Sequence, residues 1–208
     1  MNSDRQTTLF RWLGLPFARL ASWLLFTLLG PTVVRHRSRV PKEGGLLILA
    51  NHQADVDPIL VQIACPRPIY FMAKSELFSM PILGYVIRCF KAFPVKRGEP
   101  DRSAIKHAVE LVKSGEVVCV FPEGELSPTG EMLPLKPGVA LLIRLAQCPV
   151  VCVGLKNTNR IMPYGKVIPR PSLRLVSATW GNPLQLDAHA NVDSTMHAIE
   201  TELRSLTA

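Results

Sequence analysis

Runs of apolar residues with no polar interruption constrain this chain most. Leu46-Leu47-Ile48-Leu49-Ala50 and Val117-Val118-Cys119-Val120-Phe121 are apolar at every position and of strand length. A strand with one wet face alternates apolar and polar, so a continuous run predicts a strand covered on both faces, as in a parallel sheet between helical layers. The spaces between strands carry helical signals. Asp57-Pro58 reads as an N-cap followed by proline at the first helical position, opening a helix to about Ala64 that Pro66 and Pro68 end. Ile69 to Ala73 reads as strand, Ser75 to Cys89 as a helical stretch interrupted at Pro81 and Gly84, and Ala92 to Lys96 as strand. Pro100 to Ser114 is a predicted helix stopped by Gly115, and Val139 to Ala146 another; Val150 to Leu155 and Leu173 to Thr179 are predicted strands. Asp193 is read as the cap of a final helix with the stripe Met196, Ile199, Leu203 and Leu206. Alternating strands and helices mean an α/β domain with a largely parallel central sheet flanked by helices.

Charge divides the chain unevenly. Its 208 residues are 48% hydrophobic, with 24 Lys and Arg against 16 Asp and Glu, a formal charge of +8. Up to residue 42 the basic side chains Arg5, Arg11, Arg19, Arg35, Arg37, Arg39 and Lys42 face only Asp4. They flank the apolar run Leu9 to Leu29, which carries Trp12, Phe17, Trp23 and Phe26. Basic flanks around an aromatic-bearing apolar helix suit anionic lipid headgroups rather than nucleic acid. The run Leu20 to Leu29 is about half the ~20 residues a spanning helix needs, and Arg11, Pro16 and Arg19 interrupt the rest. Leu29-Gly30-Pro31-Thr32 is a poor cleavage site for a signal peptide. The expected organisation is a basic, membrane-associating helical segment over 1–42, lying in the interface with a single span as the alternative, and a catalytic domain over 43–208. The five cysteines, without a CxxC pair, read as reduced and buried, and His107, His189 and His197 are scattered, so no metal site is expected.

Sites on open α/β sheets form at the C-terminal ends of strands, and polar clusters follow the strands ending near Ala50, Lys96 and Phe121. The first cluster, Asn51-His52-Gln53-Ala54-Asp55-Val56-Asp57, places a histidine directly after a buried strand with carboxylates close behind. On a regular helix a five-residue offset turns roughly 500°, so His52 and Asp57 meet only across a loop-to-helix junction, which Asp57-Pro58 supplies. With a carboxylate holding one ring nitrogen, neutral histidine is free to accept an alcohol proton on the other. No GxSxG nucleophile elbow is present, which favours direct attack by a bound hydroxyl on an activated acyl carbon.

Here the chain resembles the glycerolipid acyltransferases, the family that includes 1-acylglycerol-3-phosphate acyltransferases. Its His-x4-Asp motif is similar to His52 to Asp57, its second motif to Phe93-Pro94-Val95-Lys96-Arg97-Gly98, its third to Phe121-Pro122-Glu123-Gly124 and its fourth to Cys148-Pro149-Val150-Val151-Cys152-Val153. The resemblance implies a glycerolphosphate-acyltransferase-like fold. It also implies transfer of a fatty acyl group from acyl-CoA or acyl carrier protein to the free sn-2 hydroxyl of 1-acylglycerol 3-phosphate, without a cofactor, at the cytoplasmic face of a membrane. His52 would be the general base, Asp57 its partner, and Arg97, aided by Lys96, the ligand of the acceptor phosphate; Glu123 and Gly124 would shape the glycerol site.

One departure bears on the acceptor. Lysophosphatidic acid acyltransferases commonly continue the third motif Thr-Arg-Ser, whereas this chain continues Glu125-Leu126-Ser127, with Lys136 as an alternative source of charge. The same chemistry on another lysophospholipid, glycerol 3-phosphate or an amino-acid lipid therefore stays open; so do hydrolysis of an acyl thioester, since His52 could equally activate water, and a lipid-binding module without catalysis, built on the basic N-terminus.

Overall fold

The computed structural model describes residues 15–96, 101–186 and 191–208. In chain order the elements are α1 (Leu15–Leu29), β1 (Thr32–Arg35), a 3-10 turn (Arg37–Arg39), β2 (Leu46–Ala50), α2 (Asp57–Ala64), β3 (Ile69–Lys74), a 3-10 segment (Ser75–Ser79) and α3 (Pro81–Cys89). Then come β4 (Ala92–Val95), α4 (Arg102–Lys113), β5 (Val117–Val120), α5 (Gly138–Ala146), β6 (Val150–Lys156), the short α6 (Thr158–Ile161), β7 (Val176–Leu184) and α7 (Val192–Thr207). One seven-stranded sheet runs in the order β1-β7-β6-β2-β5-β3-β4. Every pairing is parallel except β6 with β7, so the central block β6-β2-β5-β3-β4 points one way.

The apolar runs do what their composition demands. Leu46, Ile48 and Ala50 of β2 enter a core with Phe26 of α1 and Leu60 and Val61 of α2, together with Trp180 of β7. Leu47 and Leu49 enter a second core on the other face, with Ala108 and Val112 of α4, Leu142 and Ile143 of α5, and Ile199 and Leu203 of α7. Truncating one such side chain, as in Ile48→Ala, removes transfer energy and leaves a cavity, about 2–5 kcal/mol by analogy with other cores. The described cysteines are free thiols. Burial pushes Cys148 up to about 11 and Cys152 to about 12, consistent with packing residues rather than reactive ones.

Four local expectations change. The sheet begins at Thr32, because β1 pairs in parallel with β7 from Thr32↔Val176 to Arg35↔Thr179; it therefore starts inside the segment assigned to residues 1–42. The last strand is Val176–Leu184 rather than Leu173 to Thr179, since the residues before Val176 belong to an exposed loop. The final helix is capped by Asn191, whose side chain accepts from the Asp193 amide, and not by Asp193. The helix expected from Pro100 starts at Arg102, with Asp101 as its cap.

α1 is apolar on two sides. Phe26 is buried in the core, while Phe17, Leu20, Leu24 and Leu28 stand exposed at helical spacing. No described helix is long and apolar enough to cross a membrane. The residues expected to precede α1, including Arg5, Arg11 and Trp12, lie outside the described residues.

Candidate active site

β2 delivers the site from the centre of the sheet. At its end Asn51 does a strand's work with its side chain: Nδ2 donates to Leu155 O at 3.0 Å, and Oδ1 accepts from the Leu155 amide at 2.7 Å. The chain thus leaves the sheet at a fixed point, and His52 follows immediately. Its ring stacks on Phe121 at the end of β5, with centroids 4.0 Å apart and planes 19° from parallel. His52 Nδ1 lies 3.0 Å from Asp57 Oδ2, with His52 buried and Asp57 at 0% exposure.

Asp57 differs from the expected N-cap in a way that matters. Val56 occupies the cap position, and Asp57 opens the first turn of α2 without capping it. Its carboxylate turns back on the preceding loop, where Oδ2 also accepts the amides of Gln53 at 2.6 Å and Ala54 at 2.8 Å. The N-terminus of α2 adds a positive dipole end to those donors. An acceptor-only carboxylate at Nδ1 selects the tautomer with the proton on Nδ1, leaving Nε2 unprotonated in the neutral ring.

Phe121-Pro122-Glu123-Gly124 comes from β5, next to β2 in the sheet. Glu123 is at 0% exposure, and the chain's own amides occupy both its oxygens: Oε1 accepts His52 N–H at 2.7 Å and Oε2 accepts Leu133 N–H at 2.7 Å. Burial pushes its carboxyl up; the Leu133 and His52 amides pull it down. Glu123, expected to shape the acceptor site, ties the His52 backbone to the loop before α5 through these two bonds. Gly124 has φ +73°, a backbone conformation that calls for glycine, and a Cβ there would stand 3.2 Å from Lys136 Cγ. Lys136 itself lies on the exposed rim, with Nζ 3.2 Å from Glu125 Oε1.

The basic strand ends are farther off. β4 is three places from β2, and at a spacing of ~4.8 Å per strand its end lies ~14 Å from His52. Lys96 follows it with an exposed side chain, and its amide donates to Asp101 Oδ2 at 2.8 Å. Asp101 Oδ1 accepts from Ala104 N–H and Ser103 Oγ–H, and the Lys96 amide above all holds this carboxyl down at about 2. Arg97 lies outside the described residues. Between β5 and β4, β3 ends in Lys74, paired with Glu76 at 3.4 Å. Sequence reading passed over Lys74, although a lysine at a strand's C-terminal end was the available signal. It also passed over Asn51 as a clamp and Gln53, whose Nε2 donates to Gly130 O at 2.8 Å.

Among the described residues no three His, Cys, Asp or Glu side chains gather closely enough to hold a metal ion. A cavity of about 260 Å³, lined by Arg19, Leu20, Trp23, Val34, Arg37 and Ile63, sits toward the far end of α2 from Asp57 and takes no part in the site.

A buried His–Asp pair at the C-terminal edge of a parallel sheet, with Phe-Pro-Glu-Gly from the neighbouring strand, defines the class. The acyltransferase family profile matches residues 32–156, more than half the chain, and the protein belongs to that family. Among its relatives is a 1-acyl-sn-glycerol-3-phosphate acyltransferase of Bacillus subtilis, 34% identical over 136 residues, 65% of this chain and 67% of that protein. An enzyme of the same name from Streptococcus pneumoniae is 28% identical over 196 residues, 88% of this chain and 69% of that one. Of a chloroplastic 1-acyl-sn-glycerol-3-phosphate acyltransferase of Brassica napus, 33% identical over 119 residues, the chain spans 34% of the length. The crystal structure of the 1-acyl-sn-glycerophosphate (LPA) acyltransferase PlsC of Thermotoga maritima shares the fold, with TM-score 0.79 and 23% identity over 96% of this chain and 81% of that one.

Proposed function

We propose that this acyltransferase moves a fatty acyl group from an acyl thioester, acyl-CoA or acyl carrier protein, to the sn-2 hydroxyl of 1-acylglycerol 3-phosphate at the cytoplasmic face of a membrane. The observation that carries the chemistry is the His52–Asp57 contact at 3.0 Å, with Asp57 fully buried and its Oδ2 anchored by two backbone amides. His52 Nε2 takes the hydroxyl proton as the oxygen attacks the thioester carbonyl. Asp57 offsets the positive charge that forms on the ring. The tetrahedral intermediate collapses with cleavage of the C–S bond, and the leaving thiolate takes the proton back from His52. So written, the transfer needs no metal or redox cofactor.

Glu123 acts in this reading as a positioning residue rather than an acceptor ligand. Arg97 and Lys96 hold the acceptor phosphate, with Lys136 on the opposite rim. The names carried by the relatives support lysophosphatidic acid as the acceptor. The exposed face Phe17, Leu20, Leu24 and Leu28 supports α1 lying in the interface, and the basic residues around it suit an anionic leaflet.

The test is acyl transfer by purified protein supplied with vesicles, each donor in turn and a panel of lysolipid acceptors. His52→Ala is expected to lower turnover by about 10²–10⁴-fold, the range typical of a lost general base. Undiminished turnover by that variant would overturn the mechanism, and preference for another acceptor would overturn the substrate assignment.

A further inference from the structure

The connection between β6 and β7, residues 157–175, supplies none of the residues assigned a part in the proposed reaction and carries no motif. Its charge is one-sided: Arg160, Lys166, Arg170 and Arg174 are all exposed, and no acidic residue occurs anywhere between Glu131 and Asp187. Apolar side chains stand among those charges. Val167 is 87% exposed, Ile168 78%, and Leu173 entirely so, with Tyr164 exposed beside them.

The presentation is built. Asn157, left-handed at φ 63°, closes the base by donating from Nδ2 to Leu175 O at 2.8 Å. Above it the Arg170 amide donates to Ile161 O at 2.8 Å, and the Lys166 amide to Pro163 O at 3.0 Å. Thr158 and Ile161 are fully buried beneath, and Pro163, Pro169 and Pro171 restrict the backbone. The loop is thus held at its base while its β-branched tip meets nothing.

Its position gives the tip a meaning. β6 ends at the same edge of the sheet as β2, and Thr158 Oγ1 lies 3.5 Å from Oε1 of Gln53, the neighbour of His52. On the other side the Ser172 amide donates to Leu29 O at 2.6 Å. A Cβ on Gly30 would come within 2.6 Å of Ser172 O, so the end of α1 and the loop are in close contact. The C-terminal end of α1, where Leu28 is exposed, therefore lies next to the segment carrying exposed Leu173, on the same edge of the sheet as the His52 loop.

We infer that residues 163–174 are a second membrane-inserting element, whose apolar tip enters the acyl layer of an anionic leaflet while Lys166, Arg170 and Arg174 engage headgroup phosphates. The inference rests on the reading of α1 as an interfacial helix. A protruding apolar tip ringed by one sign of charge, with an aromatic at its base, matches the layered chemistry of a bilayer surface. A protein interface would instead deplete charge at its core. Two contacts, α1 and the loop, fix the tilt of the sheet and hold its His52 edge against the lipid.

The experiment compares wild type with the double substitution Val167→Asp/Ile168→Asp. Partition is measured on vesicles of phosphatidylglycerol and phosphatidylcholine, and turnover on a short-chain 1-acylglycerol 3-phosphate kept below its micellar concentration. Inserted side chains of this size contribute about a tenfold factor each, so partition is expected to fall at least tenfold while soluble-acceptor turnover and thermal unfolding stay unchanged. Unchanged partition overturns the inference. So does self-association of the wild type in solution that the substitution abolishes, since the tip would then be a contact between copies. Absence of turnover on every lysolipid would refute the proposed activity, yet the partition measurement would still decide the loop.

Discussion

Replacing Glu123 with glutamine separates a residue that positions the base from one that binds the acceptor. The carboxylate accepts two backbone amides, from His52 and Leu133, both at 2.7 Å and fully out of water. A glutamine has one oxygen, so its NH₂ must face one of those N–H groups, and a buried amide without an acceptor costs about 1–3 kcal/mol. Part of that cost is offset. Burial pushes the Glu123 carboxyl up, and the neutral amide avoids the expense of a desolvated charge. The net loss is about 1–2 kcal/mol, or roughly 2–8 °C in Tm for a domain of this size. Where the orphaned amide is that of His52 the imidazole shifts, and a displacement of up to an ångström lowers kcat by about 10- to 100-fold. The acceptor KM is expected to stay within about twofold, because Glu123 offers the acceptor no free oxygen. Steady-state kinetics at varied acceptor, together with a thermal melt, read all three quantities. A KM raised about tenfold with Tm and kcat at wild-type values would refute the reasoning and return Glu123 to the acceptor site.

Gly124→Ala places a side chain at φ +73° and 3.2 Å from Lys136 Cγ. The expected loss is about 1–2 kcal/mol in urea denaturation, mostly from the backbone, since the lysine stem can move aside; wild-type stability would show that the turn tolerates any residue. Asp101, held at about 2 by the Lys96, Ser103 and Ala104 contacts, favours the folded state above the ordinary aspartate range near ~4, and that contribution is lost as pH falls through about 2. The gap in urea midpoint between wild type and Asp101→Asn should therefore narrow from about pH 4 downward; because the carboxyl is largely exposed the gap is small, and a gap independent of pH would contradict the assignment.

Local signals carried far. Continuous apolar runs announced the buried strands because a parallel sheet leaves them no wet face, and the Asn51 to Asp57 run was legible because a polar cluster after such a strand lies where sites form. β1 escaped notice because Thr32-Val33-Val34-Arg35 is short, sits between Gly30-Pro31 and a basic stretch, and is half exposed. What makes it a strand is its partner β7, distant in sequence. The loop over 157–175 had a visible excess of basic residues, but nothing along the chain told exposed valine and isoleucine from core.

From the sequence alone come the class of fold, the order of its elements and the candidate for the base, since hydrophobic periodicity and strand-end chemistry are properties of short segments. The tertiary structure decided the contacts. Asp57, read both as a helix cap and as the partner of His52, meets His52 without capping α2, because the direction of a carboxylate depends on the loop folded over it. Glu123, expected at the glycerol site, accepts two backbone amides, one 71 positions away in the chain. Such assignments depend on which donors meet in space, and that is settled only when the whole sheet has closed around them.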